Sequence, residues 1–89
     1  MESNQPLMHR LVLQLDKLEW FILYSDNYDQ EPFTVAGPFK TKCQVVSVMD
    51  TMVRRLSSYG YKIESEDRNC MFYGVYFTIE NPWNGINKV

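Results

Sequence analysis

Apolar residues in the first part of the chain recur every three or four positions. They form one side of a helical projection of residues 5–18: Leu7, Met8, Leu11, Val12, Leu15 and Leu18. This spacing is typical of a helix that buries one face. Leu13 lies outside that side, however, and Leu11, Leu13 and Leu15 also alternate as they would in a strand. We predict a helix over residues 5–18, with a strand as the alternative.

The next two segments switch to aromatic and β-branched residues. Residues 19–25 read EWFILYS, residues 33–37 read FTVAG, and the polar stretch between them ends at Pro32. Such segments, bounded by turn-forming residues, are typical of strands. We predict two short strands that pair antiparallel to each other.

A second helix follows, with recognisable start and end signals. Thr41 and Gln44 have the spacing of a capping box, in which each side chain satisfies a backbone N–H of the first turn. The apolar stripe of this helix consists of Val45, Met49, Met52 and Leu56. Gly60 suits the left-handed position just past the helix end. We therefore predict a helix that begins after Thr41 and ends before Gly60.

Two more strands complete the predicted fold. Residues 61–66 alternate between apolar and polar, and residues 70–80 form the longest strand, which ends before Pro82. The predicted order is α-β-β-α-β-β. This is an α+β fold with two helices packed on one face of a mainly antiparallel four-stranded sheet. A chain of 89 residues is expected to form a single domain, residues 1–89, with flexible ends at 1–4 and 84–89.

The last predicted strand has apolar residues on both of its faces. Alternation places one set together, and we expect this set to be core: Met71, Tyr73, Val75, Phe77 and Ile79. Phe72 and Tyr76 then lie on the other face, on either side of Gly74. Because two helices on one side cover only one face of a sheet, the face of Phe72 and Tyr76 is predicted to remain uncovered.

An uncovered aromatic face is the feature of this sequence that indicates a function. Large exposed apolar patches usually mark interaction sites. The first strand adds either Phe21 and Leu23 or Trp20 and Tyr24 to this face, depending on strand register, and an acidic loop lies at its rim. The residues predicted to contact a partner are Trp20, Tyr24, Asp26, Asp29, Glu31, Phe72, Tyr76 and Trp83. The alternative is that the face is covered by a helix or by a tail carrying Trp83.

The charge and the aromatic pattern argue against a nucleic-acid partner. The formal net charge is −2, whereas phosphate contacts usually require a basic surface. An RNA-binding sheet carries a basic residue and two aromatic residues around a glycine in its central strand. When Tyr73-Gly74 is aligned with that pattern, Met71 occupies the basic position and Val75 an aromatic position.

The residues that enzymes and metal sites need are sparse. His9 is the only histidine, predicted on the polar side of the first helix, and Cys43 and Cys70 are the only cysteines. These residues cannot supply a standard zinc set. The acidic loop also fails the calcium-loop spacing, because Tyr28 and Glu31 occupy positions that require an oxygen ligand and a glycine. We predict no catalytic residue, no metal and no cofactor.

The sequence therefore predicts a small non-enzymatic protein-binding module, of the inhibitor or adaptor type, that occludes or assembles a partner. A homodimer that closes through the aromatic face is the alternative, and a nucleic-acid-binding module is a weaker one. No apolar run approaches the roughly 20 residues of a membrane span. With two cysteines, we expect reduced thiols and a location in the cytoplasm of a cell or of a virus-infected host. Phage inhibitors of host proteins belong to this size class.

Overall fold

The computed structural model describes residues 7–27, 31–69 and 72–79. Within these ranges the chain forms five strands, one α-helix and a short 3-10 helix. Their order is β1 (His9–Asp16), β2 (Glu19–Asp26), β3 (Phe33–Phe39), α1 (Lys42–Leu56), the 3-10 helix (Ser57–Tyr59), β4 (Tyr61–Arg68) and β5 (Tyr73–Ile79). The strands make one antiparallel sheet in the order β3-β2-β1-β5-β4. The α+β class was predicted, but the count of two helices and four strands is wrong.

The error lies in the helix predicted over residues 5–18, because His9–Asp16 of that range form β1. β1 pairs with β2 along its whole length, from His9 opposite Asp26 to Asp16 opposite Glu19. The two residues that join the strands, Lys17 and Leu18, have φ values of 51° and 69°. Positive φ at both positions is what the type I′ turn, one of the two favoured two-residue hairpin turns, requires.

Strand alternation also accounts for burial in β1 better than a helical stripe does. Leu11 and Leu13 are buried, although the helical projection left Leu13 outside the apolar side. Leu15 and Leu18, which the predicted helix would have buried, are 52% and 87% exposed. The hairpin is favoured over the helix because it buries alternate leucines and its ladder pairs backbone N–H and C=O groups of both strands.

The predicted second helix is confirmed as α1, with Thr41 as its N-cap, but the return bond of the predicted capping box comes from Lys40 and not from Thr41. The Thr41 hydroxyl accepts a hydrogen bond from the Gln44 backbone N–H at 3.1 Å, and the Gln44 side chain accepts one from the Lys40 backbone N–H at 3.1 Å. Gly60 follows the 3-10 helix with a left-handed φ of 93°. The strands predicted at 19–25, 33–37 and 61–66 correspond to β2, β3 and β4.

The core lies between α1 and one face of the sheet. It is formed by Leu11, Leu13, Ile22, Val45, Met49, Leu56, Tyr73, Val75 and Phe77. Tyr73, Val75 and Phe77 were predicted to be core and are buried, whereas Ile79 at the strand end is largely exposed. Met71 lies outside the described residues. No helix among the described residues has the length and the apolar character needed to cross a membrane.

Strand register assigns the remaining side chains to faces, because residues directly opposite each other share a face. Leu11 lies opposite Tyr24 and Val75, so all three are on the side of α1. Val12 lies opposite Leu23 and Gly74, on the other side. We call that other side the open face; its central residues are Arg10, Val12, Phe21, Leu23, Phe72, Gly74 and Tyr76.

Both outer strands of the sheet are irregular. The β2–β3 pairing shifts register twice, between Trp20 and Leu23. The β4–β5 pairing shifts once, between Ile63 and Ser65. In each case the extra residues belong to the outer strand, so both edges of the sheet carry bulges.

Candidate protein-binding face

The middle of the open face is an apolar strip that crosses β2, β1 and β5. Val12 sits at its centre, with Leu23 on one side and Gly74 on the other. Phe21 extends the strip along β2, opposite Gln14. The side chains of Val12, Phe21 and Leu23 are half-buried, and Phe72 is 36% exposed. α1 packs on the opposite side of the sheet, so these side chains are not part of the helix–sheet core.

Gly74 leaves the space in which the ring of Phe72 packs against the sheet. A Cβ atom at this glycine would lie 2.7 Å from Phe72 Cζ and 3.2 Å from Val12 Cγ1. Both distances are shorter than ordinary carbon–carbon contacts of about 3.5–4.0 Å. The ring therefore occupies the space that any other residue at position 74 would need, and the glycine fixes where the most exposed aromatic of the strip lies.

One end of the strip is polar and centres on Arg10. Arg10 lies between Ser25 of β2 and Tyr76 of β5 in a single cross-strand row. Its guanidinium carbon is 5.9 Å from the centroid of the Tyr76 ring, within the range of a cation–π contact. Its Nε atom is buried and has no hydrogen-bond partner among the described residues. Beside it is a pocket of about 400 Å³ that Asp26 and Asn27 also line.

The other end of the strip is acidic. Asp16 continues the alternation of Arg10, Val12 and Gln14 along β1, and Glu19 lies opposite it across the hairpin. Asp16 is exposed and Glu19 is half-buried. The open face thus has a cation at one end, an apolar strip in the middle and two carboxylates at the other end.

The structure divides the predicted contact residues between two faces. Phe72 and Tyr76 are together on the open face, as the alternation of β5 predicted. Phe21 and Leu23 are the residues of β2 that join them. Trp20 and Tyr24 lie on the α1 side, where both pack against the core. Register decides this choice, so Trp20 and Tyr24 do not belong to the open face.

The predicted acidic loop is described in part. Asp26 is half-buried at the end of β2, next to the Arg10 pocket, and Glu31 is exposed before β3. Both take part in further interactions. Asp29 and Trp83 lie outside the described residues, as do Cys70 and the chain ends predicted to be flexible. Asp26 lies opposite His9 in the β1–β2 register, so its position belongs to the α1 side, although it also lines the pocket beside Arg10.

The surroundings of His9 differ from those predicted. It is 7% exposed and lies on the α1 side, although it was expected on the polar side of a helix. Its ring stacks on Phe77 at 5.1 Å between centroids and meets the edge of Tyr61 at 5.4 Å. The Tyr24 hydroxyl is 2.6 Å from its Nδ1. Burial lowers the pKa of His9, against an opposing effect of the Asp26 charge. The alternation of Leu11 and Leu13 was the signal that would have found it.

A separate polar cluster connects α1 to β4 and β5. The Tyr73 hydroxyl donates to Asp50 Oδ1 at 2.7 Å, and Arg68 forms an ion pair with Asp50 at 3.3 Å. The Arg68 guanidinium carbon also lies 4.3 Å from the centroid of the Tyr73 ring. Burial, together with the Asp50 carboxylate, raises the pKa of Tyr73. These contacts join helix to sheet, which indicates a structural role.

The described residues supply little chemistry beyond these contacts. Cys43 is an exposed free thiol in the first turn of α1. No group of three or more His, Cys, Asp or Glu residues that could hold a metal ion occurs in ranges 7–27, 31–69 and 72–79.

No family model matches this chain, and neither the curated proteins nor the solved structures provided a match.

Proposed function

We propose that this protein is a small non-enzymatic protein-binding module that occludes or assembles a partner through the open face. The observation that carries the proposal is the imbalance between one helix and a five-stranded sheet. α1 covers one side, while the apolar strip of Val12, Phe21, Leu23 and Phe72 lies on the other. Aromatic residues and arginine are enriched at the centres of protein interfaces, and this strip has both beside it in Tyr76 and Arg10.

A homodimer is the second candidate, and the charges of the open face favour it. Two sheets that pack face to face can be related by a two-fold axis that lies between them and runs across the strands. Such an axis stacks the apolar strips and reverses the strand direction. Arg10 of each copy then meets Asp16 and Glu19 of the other, which makes the face complementary to itself.

The proposed location is the cytoplasm. A secreted domain of this size is usually stabilised by several disulfides, whereas this chain has two cysteines and Cys43 is an exposed thiol. This location fits a module whose stability comes from its helix–sheet core.

The test compares two double variants that remove the same residue types from different surfaces. Phe72→Ala with Tyr76→Ala strips the open face. Phe33→Ala with Tyr59→Ala is the matched control, because these rings are 55% and 68% exposed and neither lies on the open face. The tagged protein captures its partner from a lysate, and the purified partner is then titrated by calorimetry.

We expect the open-face variant to raise the Kd by about 30-fold or more, the effect of losing two interface anchors. The control should leave the Kd within about twofold of the wild-type value. Equal losses in the two variants would contradict the proposal. A large drop in the Tm of the open-face variant would also contradict it, since Phe72 and Tyr76 would then be core residues.

A further inference from the structure

The charges at the two ends of the open face are not neutralised by the described part of the chain. Arg10 contacts the ring of Tyr76, and no ion pair of Arg10 occurs among the described residues. In that same part of the chain neither Asp16 nor Glu19 forms one. A partner that fits this face therefore offers an acidic group at one end of its contact surface and a basic group at the other.

The apolar strip between these charges has the dimensions of one α-helix. It crosses β2, β1 and β5, which are neighbours about 4.8 Å apart, so its width is about 10 Å. Arg10 and Asp16 mark its two ends on β1, about 20 Å apart at about 3.3 Å per residue. A helix is about 10 Å in diameter, and about 13 residues of it span the same length. One helix therefore covers the strip from one charged end to the other.

The strands on either side of the strip are polar on the open face, which favours a helix over a second sheet as the occupant. On β3, Thr34 lies opposite Leu23, and on β4, Lys62 and Asp67 lie opposite alternate residues of β5 that face the same way. These three polar side chains are exposed. A sheet from a second copy would stack on them and take both charges out of water, whereas charged residues are depleted at interface centres. A helix about 10 Å wide leaves them in solvent.

Helices commonly carry the order of charges that the open face requires. Acidic residues stabilise the first turn of a helix and basic residues the last, because they complement the helix dipole. With its first turn beside Arg10, such a helix brings acidic side chains to the guanidinium group and basic side chains to Asp16 and Glu19. Full side-chain charges outweigh the partial charges of about half a unit at the helix ends, so they set its direction.

We propose that the open face binds an amphipathic helix of its partner, with the apolar side chains of that helix against the strip, its acidic first turn at Arg10 and its basic last turn at Asp16 and Glu19. This inference rests on the proposed function, because it names the kind of segment that the open face binds.

The probe is a capped helical peptide of about 14 residues, long enough to span the strip. It has leucines along one side, two glutamates in the first turn and two lysines in the last, and we call it the polarised peptide. Its matched control has one glutamate and one lysine at each end, so composition, net charge and apolar stripe are the same. Both peptides are titrated by calorimetry into the wild-type protein and into Arg10→Glu.

We expect the wild-type protein to bind the polarised peptide about fivefold more tightly than the control, the effect of one modest ion pair at each end. Arg10→Glu makes both ends of the face acidic and should remove this preference. Adding Asp16→Arg and Glu19→Arg reverses the face, so the preference should return with the peptide turned around. A spin label on the first residue of the peptide should then broaden the NMR signals of Gln14 in place of those of Tyr76. Any difference in helicity between the peptides is the same for all three proteins and does not change this pattern.

A second comparison tests that the bound peptide is helical and lies on the open face. A proline at a solvent-facing position in the middle of the polarised peptide breaks a helix and leaves the leucines in place, so it should weaken binding about 100-fold. Phe72→Ala with Tyr76→Ala should weaken both peptides, and Phe33→Ala with Tyr59→Ala should weaken neither.

Three results would overturn the proposal: no saturable binding of the polarised peptide to the wild-type protein, equal affinity of the two peptides, or undiminished binding of the proline peptide. A stable wild-type dimer that the polarised peptide does not dissociate would also overturn it and would assign the face to a second copy. If Arg10→Glu fails to fold, Asp16→Arg with Glu19→Arg places cations at both ends and should remove the preference in the same way.

The outcome for the helix is separate from the outcome for the proposed function. If the peptides fail while Phe72→Ala with Tyr76→Ala still loses the partner captured from a lysate, the protein-binding face stands and the helical occupant is wrong. If that variant keeps its partner, the proposed function itself is contradicted.

Discussion

Burial of His9 ties the stability of the fold to pH. In the native state the ring is enclosed by Phe77, Tyr61 and Tyr24, and its pKa lies below the ordinary value of 6.5. The unfolded chain exposes the same imidazole to water. The unfolded state therefore binds more protons than the native state once the pH falls below about 6.5, and the free energy of unfolding decreases there.

The first prediction compares the pH dependence of stability in the wild-type protein and in His9→Phe. A comparison is needed because carboxylates also titrate as the pH falls and change the stability of both proteins. Wild-type protein should lose stability as the pH falls from 7.5 through 6.5 towards the lowered native pKa of His9. His9→Phe has no imidazole and should lose less over the same interval. Urea denaturation at several pH values measures both slopes. Parallel curves for the two proteins would mean that His9 is not buried as a neutral group.

At the scale of elements, the β1–β2 hairpin decides the fold, although its turn has unfavourable residues. Lys17 and Leu18 both adopt left-handed φ values, which cost about 1 kcal/mol each for residues other than glycine, asparagine or aspartate. The pairing of eight residues on each strand offsets this cost. The turn is therefore strained, and the strain is held in place by the strands on either side.

Replacing the turn residues should stabilise the protein. Lys17→Asn with Leu18→Gly places the preferred pair for this type of turn at the two positions with positive φ. Both side chains are exposed, so no packing is lost, and we expect a gain of about 1 kcal/mol in the free energy of unfolding, measured with urea. Reversing the pair, with Lys17→Gly and Leu18→Asn, provides a control of similar composition. A destabilised Asn-Gly variant would mean that the turn has another geometry.

The same hairpin explains what could be predicted from the sequence and what could not. α1 was predictable because Thr41, Gln44 and the apolar stripe all lie within one local segment. β1 was not, since its leucines fit both periods and Lys17-Leu18 contains no turn signal; the pairing with β2 is what decides. The open face was predicted from the alternation around Phe72 and Tyr76. Which residues of β2 share that face depends on how β2 is aligned with β1, and the sequence of one strand alone does not determine this alignment.

At the scale of the whole molecule, the charges at the two ends of the open face allow a test of the homodimer. Arg10→Glu would place like charges together at both ends of the interface and should dissociate the dimer. Adding Asp16→Arg and Glu19→Arg to Arg10→Glu reverses both ends and should restore it. Light scattering over a range of concentrations distinguishes a mass near 10.6 kDa from twice that value. If the wild-type protein has the mass of one chain at every concentration, the homodimer is contradicted and the partner must be a different protein.

The bulged edges of the sheet affect which assemblies the protein can form. A straight, regular outer strand is a template on which further chains can add without limit, as they do in fibrils. β3 and β4 each interrupt their own ladder, and β4 carries charged side chains along most of its length. Addition of further chains at the edge strands is thereby disfavoured, whereas the open face can bind one partner only. We therefore expect complexes of fixed stoichiometry rather than open-ended polymers of the sheet.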